Sequence, residues 1–354
     1  MEYGDITKII EEKTQAIAEA VVDMQYRLQP EIWEKYGEEG RKLSIRDVTL
    51  HLPYLCEAVR ASDPSSFINY IMWLEELFRG LGLPENALSV NLECIRDVLM
   101  EMLPPEMAVI TSEYLESGLG ALGKTAEEAK SFLHQDAPFS NLAQAYLDAL
   151  LEGNRNQASR LIENALEKGM NVKDIYLHVF QASQYEIGRL WHKKIVSVAQ
   201  EHYCSAATER IMSQLYSRIF STERNGYSYV GACVGGELHQ IGARMVADFF
   251  EMEGWDTYYL GANTPTESIL QTIRKHRADI VGLSMSVFFH RSTLADLIHA
   301  IRSSEGVPEN IRIIVGGYSF ISKPGLWKEI GADGMAEDAA GALELADRLV
   351  KGAL

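Results

Sequence analysis

The sequence predicts two consecutive all-helical segments followed by an α/β domain built on a parallel sheet. Apolar residues recur every three or four positions from the N-terminus to about residue 222, which is the period of an α-helix. From residue 227 onwards, short apolar runs typical of strands alternate with helical stretches, and this alternation favours a parallel sheet. The length of 354 residues is enough for two or three domains.

The first segment, residues 1–133, carries helix signals throughout. Apolar residues keep a helical spacing from Ile6 to Leu28. Asp63 followed by Pro64 is typical of a helix start, because aspartate caps the first turn and proline suits its first position. No strand pattern interrupts the segment, so we expect an all-helical domain.

The second segment, residues 138–222, predicts four shorter helices joined by short connections. We place them at about 140–150, 156–168, 171–191 and 197–220. Ser140 caps the first, Gly169 ends the second, and Ser197 with Gln200 forms a capping box at the fourth. Short connections favour an antiparallel four-helix bundle.

The third segment, residues 227–354, predicts five strands separated by helices. The strands fall at 229–234, 256–260, 279–284, 311–315 and, more weakly, 334–336. Five parallel strands suit a flavodoxin-like sheet with the order 2-1-3-4-5. In such sheets a ligand binds beyond the carboxyl ends of the strands, where the order reverses.

Composition and charge exclude several classes of function. The net charge of −17 and the pI of about 5.0 disfavour direct binding to nucleic acid or to an anionic membrane. No apolar run is long enough for a membrane span, and the N-terminus lacks the pattern of a signal peptide. The four cysteines lie far apart, which suits a reducing compartment. We therefore expect a cytoplasmic protein.

The ends of three neighbouring strands carry the most informative polar residues. They are Glu237, His239 and Gly242 after the first strand, Ser284 and Ser286 at the third, and Gly316 and Gly317 at the fourth. A glutamate can accept the proton of one imidazole nitrogen and leave the other nitrogen free for a metal. Small hydroxyls and paired glycines would leave room for a bulky ligand. A loop histidine alone is more often solvated, but three loops in register favour a site.

The pattern Glu237-x-His239-x-x-Gly242, with Ser284-x-Ser286 and Gly316-Gly317, resembles the cobalamin-binding motif of B12-dependent enzymes and B12 sensors. Glutamate replaces the aspartate that is usual at the first position of that motif. The resemblance implies that His239 is the lower cobalt ligand and that the nucleotide tail lies beside the serines and glycines. It also implies that the bundle covers the upper face of the corrin. The resemblance extends over about residues 138–354.

The end of the bundle resembles the CarH family of adenosylcobalamin photoreceptors. The matching residues lie in Gly188-Arg189-Leu190-Trp191-His192 and Val198-Ala199-Gln200-Glu201-His202. The resemblance implies that Trp191, Val198, Glu201 and His202 line the pocket of the upper adenosyl group. It implies further that His192 can bind cobalt after light breaks the cobalt–carbon bond. Corrinoid methyl carriers have a similar bundle, typically with a phenylalanine-rich stretch that is absent here.

The first segment resembles the leading domain of photocobilins, which are B12 photoreceptors that also bind biliverdin in a globin-like helical domain. The resemblance rests on the stretch from His51 to Leu55 and on the aromatic residues after Asp63. It implies that a bilin lies among His51, Tyr54, Tyr70 and Trp73, and these aromatic residues could equally pack a core. Covalent attachment at Cys56 or Cys94 and a haem bound by His51 are alternatives that the sequence leaves open.

These observations lead to the hypothesis of a light sensor that is not an enzyme. Adenosylcobalamin is the expected chromophore, and biliverdin is the expected second one. Loss of the adenosyl group would rearrange the bundle and change self-association or release a partner protein, since no output domain follows before Leu354. The first alternative is a corrinoid carrier of a methyltransferase system. A redox or gas sensor that uses only the N-terminal tetrapyrrole is the second.

Overall fold

A computed structural model of the chain describes residues 3–124, 130–134, 136–219 and 222–352. The chain divides into two compact units. The first unit contains Met1–Ala129 and a short piece of the bundle, His192–Ile195. The second contains Lys130–Trp191 and Val196–Leu354, so the rest of the bundle and the sheet belong to one unit.

The first unit is helical throughout its described residues, as expected. Its helices are α1 (Tyr3–Glu12), α2 (Thr14–Leu28), α3 (Pro30–Trp33), α4 (Gly37–Ala61), α5 (Ser65–Gly80), α6 (Ala87–Met102) and α7 (Pro105–Leu119). The apolar stripe from Ile6 to Leu28 is divided between two helices, because the backbone leaves helical geometry at Lys13. The core of the unit includes the fully buried side chains of Ile17, Leu52, Phe67 and Leu92.

The bundle in the second unit has four main helices. They are α8 (Ser140–Leu151), α9 (Arg155–Glu167), a long third helix, and α12 (Val198–Gln214), followed by the short α13 (Tyr216–Ile219). The third helix combines α10 (Val172–Asp174), a π-helical segment (Ile175–Gln181) and α11 (Ala182–His192). The four-helix prediction is confirmed, and the expected end of the last helix at Phe220 lies outside the described residues.

Two helix starts in the bundle test the capping predictions. The capping box of Ser197 and Gln200 is present, with both the side-chain and backbone bonds formed. Ser140, by contrast, is the first residue of α8 and not its N-cap. The residue before it, Phe139, has a left-handed backbone (φ 57°) and makes no capping bond. The prediction of a serine cap at α8 was therefore wrong.

The sheet of the second unit has five parallel strands in the predicted order 2-1-3-4-5. The strands are β1 (Ser228–Cys233), β2 (Asp256–Tyr259), β3 (Ile280–Ser284), β4 (Arg312–Gly316) and β5 (Gly334–Ala336). The helices that separate them are α14 (Ile241–Met252), α15 (Thr266–His276), α16 (Arg291–Ser303), α17 (Tyr318–Ser322) and α18 (Leu326–Glu329), and α19 (Ala339–Val350) follows β5. Cys233, Ser284 and Gly316 lie side by side in register, so β1, β3 and β4 end together.

A buried hydrogen bond joins the bundle to the sheet domain within this unit. The Tyr176 hydroxyl, in the π-helical segment, donates to Asp248 Oδ2 of α14 at 2.8 Å. Asp248 is only 5% exposed. Burial raises the pKa of Asp248 to about 6, because the hydrogen bond from Tyr176 and the positive charge of Arg244 do not fully compensate for lost hydration.

Replacing Asp248 with asparagine is expected to stabilise the protein at neutral pH. The folded state holds the Asp248 proton up to about pH 6, whereas a free aspartate loses it near 3.8, so the aspartate lowers stability as the pH rises through this window. The D248N variant should gain up to about 3 kcal/mol in unfolding free energy at pH 7 and little at pH 4. Urea unfolding at both pH values measures the difference. An equal gain in unfolding free energy at pH 4 and pH 7 would contradict the raised pKa of Asp248.

Candidate functional site

The carboxylate of Glu237 joins two strand-end loops at the carboxyl edge of the sheet. Its side chain is fully buried. Oε1 accepts hydrogen bonds from the backbone N–H of His239 (2.9 Å) and from its ring Nδ1 (2.6 Å). Oε2 accepts from the backbone N–H groups of Ser286 (2.7 Å) and Val287 (3.0 Å). One carboxylate therefore fixes both the loop after β1 and the loop after β3.

The pairing of Glu237 with His239 shifts the pKa of both groups. Burial alone would raise the pKa of Glu237, but the hydrogen bonds from His239 and Ser286 outweigh burial and lower the pKa to about 2. The hydrogen bond to Glu237 in turn raises the pKa of His239. Glu237 is thus a carboxylate at neutral pH and fixes the Nδ1–H tautomer of a neutral His239.

His239 is suited to act as a metal ligand. Its side chain is 67% exposed although Nδ1 is held by a buried carboxylate, and Nε2 has no hydrogen-bond partner among the described residues. Within those residues no group of three or more His, Cys, Asp or Glu side chains could hold a metal ion. A metal at this edge would therefore need most of its ligands from a bound cofactor, with His239 as one protein ligand.

The glycine pair after β4 lies close to the loop after β3. Gly317 has a positive φ of 109°, and a Cβ there would overlap the carbonyl oxygen of Met285. Ser319 Oγ donates to the carbonyl of Ser286 at 2.9 Å, which ties the same two loops together. Gly242, in the first turn of α14, has nothing within 4 Å of a Cβ position. The structure therefore brings Glu237, His239, Ser284, Ser286, Gly316 and Gly317 to one edge of the sheet.

His290 belongs to the same edge and has no assigned role in the sequence analysis. It lies in a short 3-10 turn (Phe288–His290) after β3 and is 7% exposed. Gly236 has a positive φ, and a Cβ there would be 2.5 Å from the His290 ring. Burial lowers the pKa of His290. The sequence does place His290 in the loop after β3. No motif, however, indicates that its imidazole packs against the loop after β1.

Four of the predicted upper-face residues lie at the adjoining ends of α11 and α12. Trp191 is half-buried, and Val198 is 49% exposed. His202 Nδ1 lies 2.6 Å from Glu201 Oε2. The charge of Glu201 also contributes to the raised pKa of His239.

His192 lies in the first unit. Its ring stacks in parallel on the indole of Trp73, with centroids 5.0 Å apart and an angle of 5°. Nε2 lies 3.0 Å from the Trp73 carbonyl oxygen, and Nδ1 lies 3.4 Å from Glu76 Oε2. Both ring nitrogens are engaged, so His192 would have to leave these contacts before binding cobalt.

The four predicted bilin-contacting residues come together on α4 and α5. Tyr54 and Tyr70 stack with centroids 3.6 Å apart, and Trp73 continues the stack at 6.0 Å from Tyr70. The Tyr70 hydroxyl lies 2.6 Å from Nδ1 of His51, and burial lowers the pKa of His51 to about 4. Because Tyr54 and Tyr70 are in contact, a planar ligand would lie beside the stack and not between these two rings.

The two candidate anchor cysteines are buried and protonated. Cys56 and Cys94 are each 1% exposed. Burial raises the pKa of Cys56 to about 12 and that of Cys94 to about 11. Because the thiolate is the nucleophile in thiol addition, these environments disfavour covalent attachment of a bilin at either residue.

No helix among the described residues combines the length and apolar character needed to span a membrane. This finding agrees with the absence of a long apolar run in the sequence.

Comparison with known proteins supports a cobalamin-binding module in the part of the chain that contains the bundle and the sheet. Residues 227–344 match the family described as B12 binding domain, and residues 142–216 match a second family of the same description. Residues 4–122 match the family described as phycobilisome protein. The chain therefore carries a cobalamin-binding module preceded by a phycobilisome-type domain.

The cobalamin-binding half is similar to corrinoid proteins of Methanosarcina species. Monomethylamine corrinoid protein 1 of Methanosarcina acetivorans is 28% identical over 211 residues, which cover 58% of this chain and 95% of the relative. Dimethylamine corrinoid protein 1 of the same organism is 25% identical over 193 residues, covering 54% of this chain and 83% of the relative. The structure of the Methanosarcina barkeri monomethylamine corrinoid protein aligns with a TM-score of 0.51 at 21% identity over 59% of this chain and 98% of that chain. At this sequence identity, the structural similarity shows a shared fold.

Proposed function

We propose that this protein is a cytoplasmic, non-enzymatic light sensor that uses adenosylcobalamin and, as a second chromophore, biliverdin. The observation that carries the proposal is the union of a phycobilisome-type domain and a cobalamin-binding module in one chain. Phycobilisome proteins are associated with bilins, and a methyl carrier has no chemical need for such a domain. The bilin would lie beside the aromatic stack of Tyr54, Tyr70 and Trp73.

The residues at the sheet edge fit a corrinoid. Glu237 holds His239 in the tautomer that leaves Nε2 free, and this is the form that binds a metal. Gly316 and Gly317 add no side chain to the edge beside Ser284 and Ser286. His239 would serve as the lower ligand, and the small residues would hold the nucleotide tail.

The residues at the adjoining ends of α11 and α12 fit a nucleoside as the upper ligand. Bound adenosylcobalamin supplies a cobalt–carbon bond that visible light breaks. Glu201 offers a carboxylate that can accept bonds from ribose hydroxyls, and Trp191 offers an aromatic surface. Loss of the adenosyl group would remove a packing contact of Trp191. A lost aromatic contact is worth several kcal/mol, which is enough to shift the population of two bundle or oligomer states.

Illumination tests the proposal directly. Protein loaded in the dark with adenosylcobalamin is expected to change its visible spectrum under green light and to change its elution volume on size exclusion. Protein loaded with biliverdin is expected to retain red absorption after gel filtration. A dark-kept sample is the control for each. An unchanged cobalamin spectrum after illumination would refute the light-sensing function.

The second candidate function is a corrinoid carrier in a methyl-transfer system. The similarity to methylamine corrinoid proteins favours it. In this case the protein would retain methylcobalamin more tightly than adenosylcobalamin, because a methyl group needs no polar pocket. Dark titrations with the two cobalamins separate the candidates, and tighter adenosylcobalamin binding supports the light sensor.

A further inference from the structure

A chain of hydrogen-bonded polar side chains crosses the interior of the bundle. It starts at Tyr146 of α8, whose hydroxyl lies 2.9 Å from Thr208 Oγ1 of α12. Both residues are fully buried. The side-chain amide of Gln184, on α11, lies 2.9 Å from the same Thr208 oxygen. Three helices therefore meet at one polar junction within an otherwise apolar core.

The chain continues from Gln184 to the upper face. Ser205 Oγ lies 3.2 Å from the Gln184 amide and 3.0 Å from Glu201 Oε1. The other carboxylate oxygen of Glu201 lies 2.6 Å from His202 Nδ1. Both oxygens of Glu201 are held, one by the half-buried Ser205 and one by an exposed histidine whose side chain is 74% accessible.

Counting the protons gives the chain a direction. Ser205 has one hydroxyl proton, and only one of its two neighbours can accept it. In the structure Gln184 Nε2 donates to Thr208 Oγ1 and Gln184 Oε1 faces Ser205, so one of the two contacts of Ser205, with Gln184 or with Glu201, lacks a proton. A half-turn of the amide exchanges its nitrogen and oxygen and gives every hydroxyl proton one acceptor. Tyr146 then donates to Thr208, Thr208 to Gln184, Gln184 to Ser205, and Ser205 to the Glu201 carboxylate. A fully satisfied network of this kind is rigid, whereas an unsatisfied one is costly when buried.

We infer that Gln184 and Ser205 are positioning residues that fix the direction of the Glu201 carboxylate, and through it the preference of the upper pocket for a hydroxyl-bearing nucleoside over a methyl group. The inference rests on the proposed function, because Glu201 contacts the upper ligand only in that function. A carboxylate held in place before binding loses less conformational freedom when it accepts a ribose hydroxyl. Methyl binding gains nothing from the same carboxylate.

The geometry explains why an amide at position 184 suits this role. A methionine of similar size could pack between α8, α11 and α12 as well, and burying a polar amide gives no packing advantage. The amide alone can donate to one hydroxyl and accept from another, so it connects Thr208 to Ser205. The Gln184 amide therefore contributes by holding the hydroxyls of Thr208 and Ser205 in place.

The test measures dark affinities for adenosylcobalamin and methylcobalamin in the full chain. In Gln184→Met and in Ser205→Ala, the ratio of the two affinities should fall about tenfold, with methylcobalamin affinity unchanged. Ser205→Thr keeps the hydroxyl and should restore the ratio. Ser213→Ala, which removes a hydroxyl from the same helix near its C-terminal end, is the matched control and should leave the ratio unchanged.

A second arm places the same changes in a Glu201→Gln background. If Gln184 and Ser205 act through Glu201, they should then have almost no further effect on the ratio. Losses in the ratio that add to that of Glu201→Gln would overturn the inference. So would an unchanged ratio in Gln184→Met and Ser205→Ala, or a fall in affinity that is equal for both cobalamins. If the unmodified protein does not prefer adenosylcobalamin, the proposed function fails together with the inference. If it does prefer it and the variants keep the preference, only the inference fails.

Discussion

Replacing His239 with alanine is expected to lower cobalamin affinity by about 100-fold or more and to change the visible spectrum of the bound cofactor. The reason lies in the geometry of the loop after β1. Glu237 holds Nδ1 at 2.6 Å and leaves Nε2 free on a side chain that is 67% exposed. Without the imidazole, the loop after β1 loses the nitrogen that is predicted to bind cobalt. Spectral titration with cobalamin measures both effects.

His299→Ala is the matched control for this prediction. His299 is an exposed histidine on α16 and lies outside the site, so its loss should leave affinity and spectrum unchanged. Glu237→Gln should be intermediate, because the ring keeps a partner but loses the charge that orients it; a loss of about 10- to 100-fold is expected. A cobalamin spectrum identical in His239→Ala and the unmodified protein would rule out His239 as the lower ligand.

Gly317→Ala is expected to cost about 2 to 4 kcal/mol of unfolding free energy. Two independent causes add. The backbone at Gly317 has φ 109°, a region that L-residues rarely adopt, and a Cβ would overlap the carbonyl oxygen of Met285. The loop after β3 would have to move, and this loop supplies the Ser286 N–H that binds Glu237. Urea unfolding without cofactor measures the cost, and a loss of cobalamin affinity should accompany it.

Gly325→Ala tests whether the cost comes from the position and not from the residue type. Gly325 precedes α18 with φ −80°, and nothing lies within 4 Å of its Cβ position. Its replacement should be neutral or slightly stabilising, since alanine restricts the unfolded chain. Similar stability for the two variants would mean that the loop adapts to a Cβ at Gly317, and the glycine would then lose its assigned role.

The fold of the second unit could be predicted because its signals are local. Short apolar runs separated by helices determine a parallel sheet, and the strand ends then bring Glu237, His239 and Ser286 to one edge. Predicted and observed strand bounds differ by only a residue or so, because the alternation of strand and helix is strong here.

Other features could not be predicted, because they depend on packing between distant residues. The contact of His192 with Trp73 joins positions 119 residues apart, and no motif at either residue indicates it. His290 lies under Gly236 only because two loops cross. The π-helical segment has no sequence signature either, and its Tyr176 and Phe180 are buried in the core as they would be in a regular helix.

The π-helical segment at Ile175–Gln181 sets the rotational phase of the helix that follows it. Each residue of an α-helix turns the chain by about 100°, and a π turn takes in an extra residue without the corresponding advance. Everything beyond Gln181 is therefore turned relative to Val172–Asp174 by an amount that a regular helix of the same sequence would not give. Removing one residue between 175 and 181 would therefore let the helix become regular while Gln184 and Trp191 keep nearly their present azimuth, whereas a regular helix of the full sequence would turn both by about 100°. The direction of Trp191 is thus set more than two turns before it, at the segment that carries Tyr176.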